Sequence, residues 1–214
     1  LDQTKFARYR ALALASVYSE PEDGNFHSTL IPQMAQMFLP RFQLAPDATL
    51  VDIGCGQGLF LEEAARMGFR NATGVTLSPE DAAACRAKGL RVEACDFTDL
   101  GWCADGTVDL VWCRHALEHS PYPLFSLYEF NRVCRAGGLV YVEVPAPDCP
   151  RQHERNPNHH SVLGATMWTA LLERAGFQLV TSDRFTLQLA SDGRSIPETY
   201  LLFVAMKVAE LPAT

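Results

Sequence analysis

The stretch "LVDIGCGQG", residues 50–58, constrains this chain more than any other. Four mostly apolar residues carry a single acid, Asp52, and run into Gly54, Gly56 and Gly58. A short apolar run of this kind reads as a buried strand. Glycines at alternate positions read as a turn whose backbone, free of Cβ atoms, can bend sharply and pack closely. The next segment, "LFLEEAARMG", reads as a helix ended by Gly68. A strand, a glycine turn and a helix in that order commit the chain to parallel strands joined by helical crossovers.

The rest of the chain keeps the alternation. "NATGVTL" is the next strand. "SPED" opens a helix, with Ser78 as N-cap, Pro79 at the first helical position and Asp81 near the unpaired amides. "GLRVEAC" and "TVDLVWC" are strands, "PLFSLYEFNRVC" is a helix, and "GLVYVEVP" is a fifth strand. "ATMWTALLERAG" is a helix, followed by strands "FQLVTSD" and "TYLLFVAMKV". The link between those last two, 185–198, has no helical pattern, so they pair antiparallel at the sheet edge. Upstream, residues 2–19 hold Phe6, Tyr9, Leu12, Ala13 and Val17 at helical spacing, and "SEPEDGN" (19–25) ends that helix. A second short helix spans 29–39 and stops at Pro40. The expected organisation is a helical cap over 1–44 and one ligand-binding domain over 45–214, with ligands at the carboxyl ends of the strands.

The glycine loop is not a dinucleotide fingerprint. GxGxxG needs its third glycine where this chain has Leu59, and here the spacing is GxGxG. Asp52 at the strand end repels a pyrophosphate and suits a ligand with positive charge. S-adenosylmethionine has an ammonium, a sulfonium and no phosphate. Taken with five later segments, the loop resembles the first motif of the class I S-adenosylmethionine-dependent methyltransferases. "GVTLS" (74–78), "CDFTDL" (95–100), "DLVWCRHALEH" (109–119), "NRVCRAGGLVYVEVP" (131–145) and "LLERAGF" (171–177) resemble later motifs of that family, in order. The resemblance covers roughly residues 45–180.

That resemblance implies a Rossmann-like three-layer sandwich, with a seven-stranded, mostly parallel sheet in the order 3-2-1-4-5-7-6 and the last strand antiparallel. It implies that Gly54, Cys55, Gly56 and Gly58 surround the methionine part of S-adenosylmethionine, with Asp52 supporting the loop or the ammonium. Asp96 accepts from the adenine amino group, Phe97 lies beside the ring and Leu77 packs on its face. Cys113 and Arg114 offer backbone groups to the methionine moiety. At the second strand end, where the family carries an acid for the ribose hydroxyls, this chain has Thr76. The ribose is then left to Thr76 with water, or to Glu80 reaching in.

Methyl transfer is an in-line displacement, so the protein supplies alignment, exclusion of water and, for a protonated acceptor, a base. The candidates are histidines, which exchange protons near neutral pH. His115 comes immediately after the fourth strand and is the expected base. His119 is expected mainly to hold the turn. "DCPRQHERNPNHHS" (148–161), with His153, His159 and His160, comes after the fifth strand and is placed to wall the acceptor site. Cys149 and those histidines have no familiar zinc-ligand spacing; His115 and His119 stand at i,i+4, as in helical zinc motifs, but the glutamate between them is misplaced for HExxH, so no metal is expected.

Charge and composition narrow the partners. A net charge of -7 and the lack of a basic patch argue against a nucleic-acid binder. No apolar run is long enough to span a bilayer. No basic stretch with an apolar core marks a signal peptide, and the start at Leu1 points to a few trimmed residues. Seven cysteines, none in a CxxC pair, suggest reduced thiols and a cytoplasmic home. The expected state is a monomer or homodimer. The expected function is methylation of O or N on a small molecule or on a sugar-, lipid- or polyketide-linked intermediate. A nicotinamide-dependent oxidoreductase would need the GxGxxG spacing. A non-catalytic binding protein on the same fold stays open because of Thr76, and binding of the cofactor without turnover would identify it.

Overall fold

The computed structural model describes residues 3–13, 26–191 and 194–211. Its centre is β1 (Thr49–Ile53), whose last four residues are all buried. β2 (Asn71–Thr76) and β4 (Val108–Arg114) pair with it on either side, both parallel. β3 (Val92–Ala94) lies outside β2, and β5 (Cys134–Pro145) outside β4, again parallel. β7 (Arg194–Lys207) runs antiparallel between β5 and β6 (Phe177–Ser191). The order is β3-β2-β1-β4-β5-β7-β6, as the family resemblance implies.

Alternate residues along the strands feed two separate layers. Val51, Ile53 and Val111 face Leu127, Phe130, Trp168 and Leu172 of α5 (Pro123–Val133) and α6 (Ala165–Arg174). Leu50, Leu110, Trp112 and Tyr141 face Phe60 and Leu61 of α3 (Leu59–Arg66), Ala82 and Cys85 of α4 (Pro79–Ala87), and Ala35 and Phe38 of α2 (Phe26–Phe38). Trp112 stacks on Tyr141 at 3.8 Å and on Phe60 at 4.6 Å. A strand covered on both faces reads as a continuous apolar run, which is why β1 and β4 show no polar alternation.

Three elements differ from the sequence reading. α2 begins at Phe26 rather than near 29 and holds Pro32 inside it. It does not stop dead at Pro40: the chain continues as a 3-10 turn over Leu39–Phe42, with Pro40 in its first positions, where no N–H is needed. The link 185–198 is itself strand. β6 and β7 form one long hairpin paired from Phe177↔Lys207 to Ser191↔Arg194. Its outer part tolerates Pro197 because β5 stops pairing at Pro145↔Tyr200, leaving β7 bonded on one side only. In α1 (Gln3–Ala13), Tyr9 lies 5.4 Å from the ring of Tyr122. Val17 and the turn expected over 19–25 lie outside the described residues.

Among the described residues, no helix is long and apolar enough to cross a membrane. All seven cysteines are free thiols, and six are buried.

Candidate active site

A cavity of about 790 Å3 opens at the carboxyl ends of the parallel strands. One half is built by the turns after β1 and β2 and by the 95–99 loop. The other is built by the turn after β4, the 151–160 loop and the inner part of β7.

In the first half, the amides of Gly54 and Cys55 both donate to the Val75 carbonyl, at 2.9 and 3.0 Å, tying the glycine loop to the end of β2. Gly54 has φ 71, and a Cβ there would sit 2.6 Å from the Ala116 Cβ. Only glycine lets the loop close on the turn after β4. Gly54, Cys55, Gly56, Thr76, Leu77, Asp96 and Phe97 all lie on the wall. Asp96 accepts from the Thr98 amide at 2.9 Å, which holds the 95–99 loop in place.

Asp52, Gly58 and Cys113 are not on the wall. Asp52 is buried beside the loop, and Gly58 is the N-cap of α3, packed against Leu90 and Cys85. Cys113 is enclosed between Ile53 and Val142 in the sheet, so the turn after β4 meets the cavity from Arg114 onward. Glu80 is also placed differently from the sequence expectation. It is exposed, bonds the Ser78 hydroxyl at 3.2 Å and stays outside the cavity. Asp81, which the sequence marks only as a helix-start acid, is 3% exposed and lines the cavity. Among the described residues, the walls of this half carry Asp81, Asp96 and Asp99 and no lysine or arginine, an environment for a phosphate-free ligand with positive charge.

The second half is organised around Glu143, a fully buried acid in the otherwise apolar "VYVEVP". Its Oε1 receives His115 Nε2 at 2.8 Å and lies 2.9 Å from Arg114 Nε, while its Oε2 accepts from the Tyr141 hydroxyl at 2.7 Å. Burial alone would raise its pKa. The bond from His115 and the Arg114 charge outweigh burial and hold it down to about 2. Glu143 is therefore ionised, and the His115 ring donates to it through Nε2. His115 adopts φ 53, a left-handed conformation costly for a residue with a Cβ. Its amide donates to the Glu143 carbonyl at 2.8 Å, and its ring meets Tyr200 edge-on at 4.6 Å. The backbone is thus bent to aim this ring along the cavity floor.

Beside it, Glu118 is buried, and burial pushes its carboxyl up to about 8. Among the described residues its Oε2 has no hydrogen-bond partner. His119 donates through Nδ1 to the Asn158 carbonyl at 2.9 Å, and burial lowers its pKa. Burial, together with the His119 and His153 charges, takes His159 down to about 4. The amides of His160 and Ser161 both donate to the Glu118 carbonyl, fastening the 151–160 loop over the turn. Glu118, His119 and His159 bring one oxygen and two nitrogens within 4.8 Å of one another. Such a set of neutral, desolvated groups is able to pass a proton or to hold a divalent ion. His115, His119, His159 and His160 all line the cavity, joined by Glu118, His153, Glu198 and Tyr200. Of these last four, the sequence singles out only His153, as part of the loop expected to wall the acceptor site.

A family model described as a methyltransferase domain matches residues 26–182. A ubiquinone biosynthesis O-methyltransferase from Xanthomonas oryzae pv. oryzae is 28% identical over 155 residues, covering 58% of this chain and 64% of that protein. One from Pseudomonas aeruginosa is 29% identical over 182 residues, covering 81% of this chain and 74% of that protein. The chain thus spans a little under two thirds of the first of these relatives. The crystal structure of a SAM-dependent methyltransferase from Archaeoglobus fulgidus shares the fold, with a TM-score of 0.68, over 84% of this chain and 94% of that one, at 19% identity.

Proposed function

The chain belongs to the class I S-adenosylmethionine-dependent methyltransferases, and from that premise we propose that it methylates a hydroxyl oxygen of a small biosynthetic molecule. The observation that carries this reading is a single cavity with a glycine loop at one end and a carboxylate-held histidine at the other. S-adenosylmethionine brings an activated methyl group with its leaving group attached.

The residues of this chain do the rest. The Gly54–Gly56 loop cradles the methionine part, with Asp52 behind it. Asp96, Phe97 and Leu77 receive the adenine. Arg114 fixes Glu143, and Glu143 fixes the tautomer and direction of the His115 ring. His115 takes the acceptor proton as the new bond forms. His119, His159 and His160 close the acceptor side and keep water out. Within the segment 1–44, α2 acts as a cap, since its Ile31 contributes to the cavity wall. Oxygen is favoured over nitrogen because the similar proteins from Xanthomonas and Pseudomonas are O-methyltransferases by description.

Methyl-labelled S-adenosylmethionine, incubated with the protein and a panel of phenols, alcohols and amines, tests the reading. Label transferred to hydroxylated acceptors, with a pH profile set by one basic group, is the expected result. Transfer to amines alone overturns the oxygen assignment. Absence of any thermal shift with S-adenosylhomocysteine overturns the whole reading.

A further inference from the structure

The end of β2 lacks the acid that the ribose of such a cofactor would need, and the neighbouring groups are already engaged. Thr76 Oγ1 accepts from the Ser78 amide at 3.1 Å. The Ser78 hydroxyl accepts from the Asp81 amide at 3.0 Å and meets Glu80 at 3.2 Å. Glu80 is exposed and off the wall. These three bonds build the start of α4, and their product is the position of one side chain. Asp81, in the first helical turn, is 3% exposed on the cavity wall, between the glycine loop and the 95–99 loop.

We propose that Asp81 holds the ribose diol of the cofactor, taking over from the helix the task that Thr76 cannot perform from the strand. This rests on the proposed binding of S-adenosylmethionine in the same cavity. An ionised carboxylate has two oxygens and accepts from both members of a vicinal diol, where a hydroxyl offers a single oxygen. Position supports the assignment. The adenine side is marked by Asp96 and Phe97 and the methionine side by Gly54 and Gly56, and Asp81 stands on the wall shared by the two. Charge supports it as well. A bare helix N-terminus favours phosphate, and a carboxylate within its first turn cancels that preference and selects a neutral donor. The same residue therefore admits a nucleoside and rejects a nucleotide.

Titration calorimetry with S-adenosylhomocysteine and its 2′-deoxy and 3′-deoxy analogues tests this. Wild type should bind both analogues about 10–100-fold more weakly than the parent compound, as expected for hydrogen bonds to a charged group. Asp81→Asn and Asp81→Ala should weaken the parent by a similar factor and remove most of the discrimination. Glu80→Gln should change neither. Asp81→Glu, which keeps the charge on a longer arm, checks that the helix start survives substitution, and circular dichroism confirms it for all variants. If the Asp81 variants still discriminate against the deoxy analogues as wild type does, another group holds the diol and the inference fails alone. If wild type binds no S-adenosylhomocysteine, the cofactor reading fails with it.

Discussion

The two ends of the sheet treat buried polar groups in opposite ways. At the end away from the cavity, Lys207 is 2% exposed, and its ammonium reaches the carbonyls of Asn131 and Cys134 at 2.8 and 2.9 Å and the Glu210 carboxylate at 2.8 Å. Three donors meet three acceptors. Asn131 in turn donates to the carbonyls of Ala175 and Ala209. At the cavity end, Glu118 Oε2, Arg114 Nη2, Asn158 Oδ1 and His159 Nδ1 are buried with no hydrogen-bond partner among the described residues. An unmade buried bond costs about 1–3 kcal/mol. The cluster around Lys207 is closed on itself, while the groups at the cavity end are left for something that binds there to complete.

The contrast can be broken by substitution, and the largest effect is expected on turnover. His115→Gln keeps a donor for Glu143 but loses the proton acceptor. Turnover should fall by about 10²–10⁴, with stability changed by less than about 1 kcal/mol. Full turnover in this variant, measured alongside thermal unfolding, would remove His115 as base. Lys207→Met at the opposite pole should do the reverse. Stranding two buried carbonyls costs about 2–4 kcal/mol in chemical denaturation, while affinity for S-adenosylhomocysteine stays the same.

A pH series sharpens the comparison. Glu118 is held near 8, above its unfolded value, so the folded protein binds more protons between 4.5 and 8. Its contribution is complete at low pH and is lost as pH rises through about 8. His159 runs the other way. Held near 4, below its unfolded 6.5, it costs stability as pH falls from 6.5 to 4. Unfolding midpoints of Glu118→Gln between pH 6.5 and 8.5 should lack the decline toward pH 8 expected of wild type. An unchanged slope would mean that Glu118 is solvated. The smallest effect belongs to Asp96→Ala, which should weaken cofactor binding by about 0.5–1.5 kcal/mol, read by calorimetry, and which also removes the bond accepted from the Thr98 amide.

The strands, the helices and the glycine loop are legible in the sequence because they are local: each strand and helix carries its own period, and the loop is a few residues long, whereas the sheet order is legible only through the resemblance to the methyltransferase family. The full length of the hairpin is not legible, because Pro197 reads as a break. Only the end of β5 pairing at Pro145 shows that a proline fits there. The acceptor half is legible in part. His115 is placed by its position after a strand, but its partner Glu143 is 28 residues away and meets it only through the β4–β5 register. Glu118 and His159 come together through a loop that no spacing describes. Asp81 is visible in the sequence, yet its position fits a helix-start role fully and points to nothing more. Burial is what separates the two roles.

The placement of β7 between β5 and β6 has a consequence for how the molecule is made. A ribosome delivers β6 first, yet β6 has no neighbour in the sheet until β7 emerges and folds back against β5. β7 also carries Glu198 and Tyr200 into the cavity. The nascent chain therefore holds a long unpaired segment, and an open-sided pocket, until β7 is made. That side of the cavity closes only when β7 inserts between β5 and β6, in the interior of the sheet rather than at its rim.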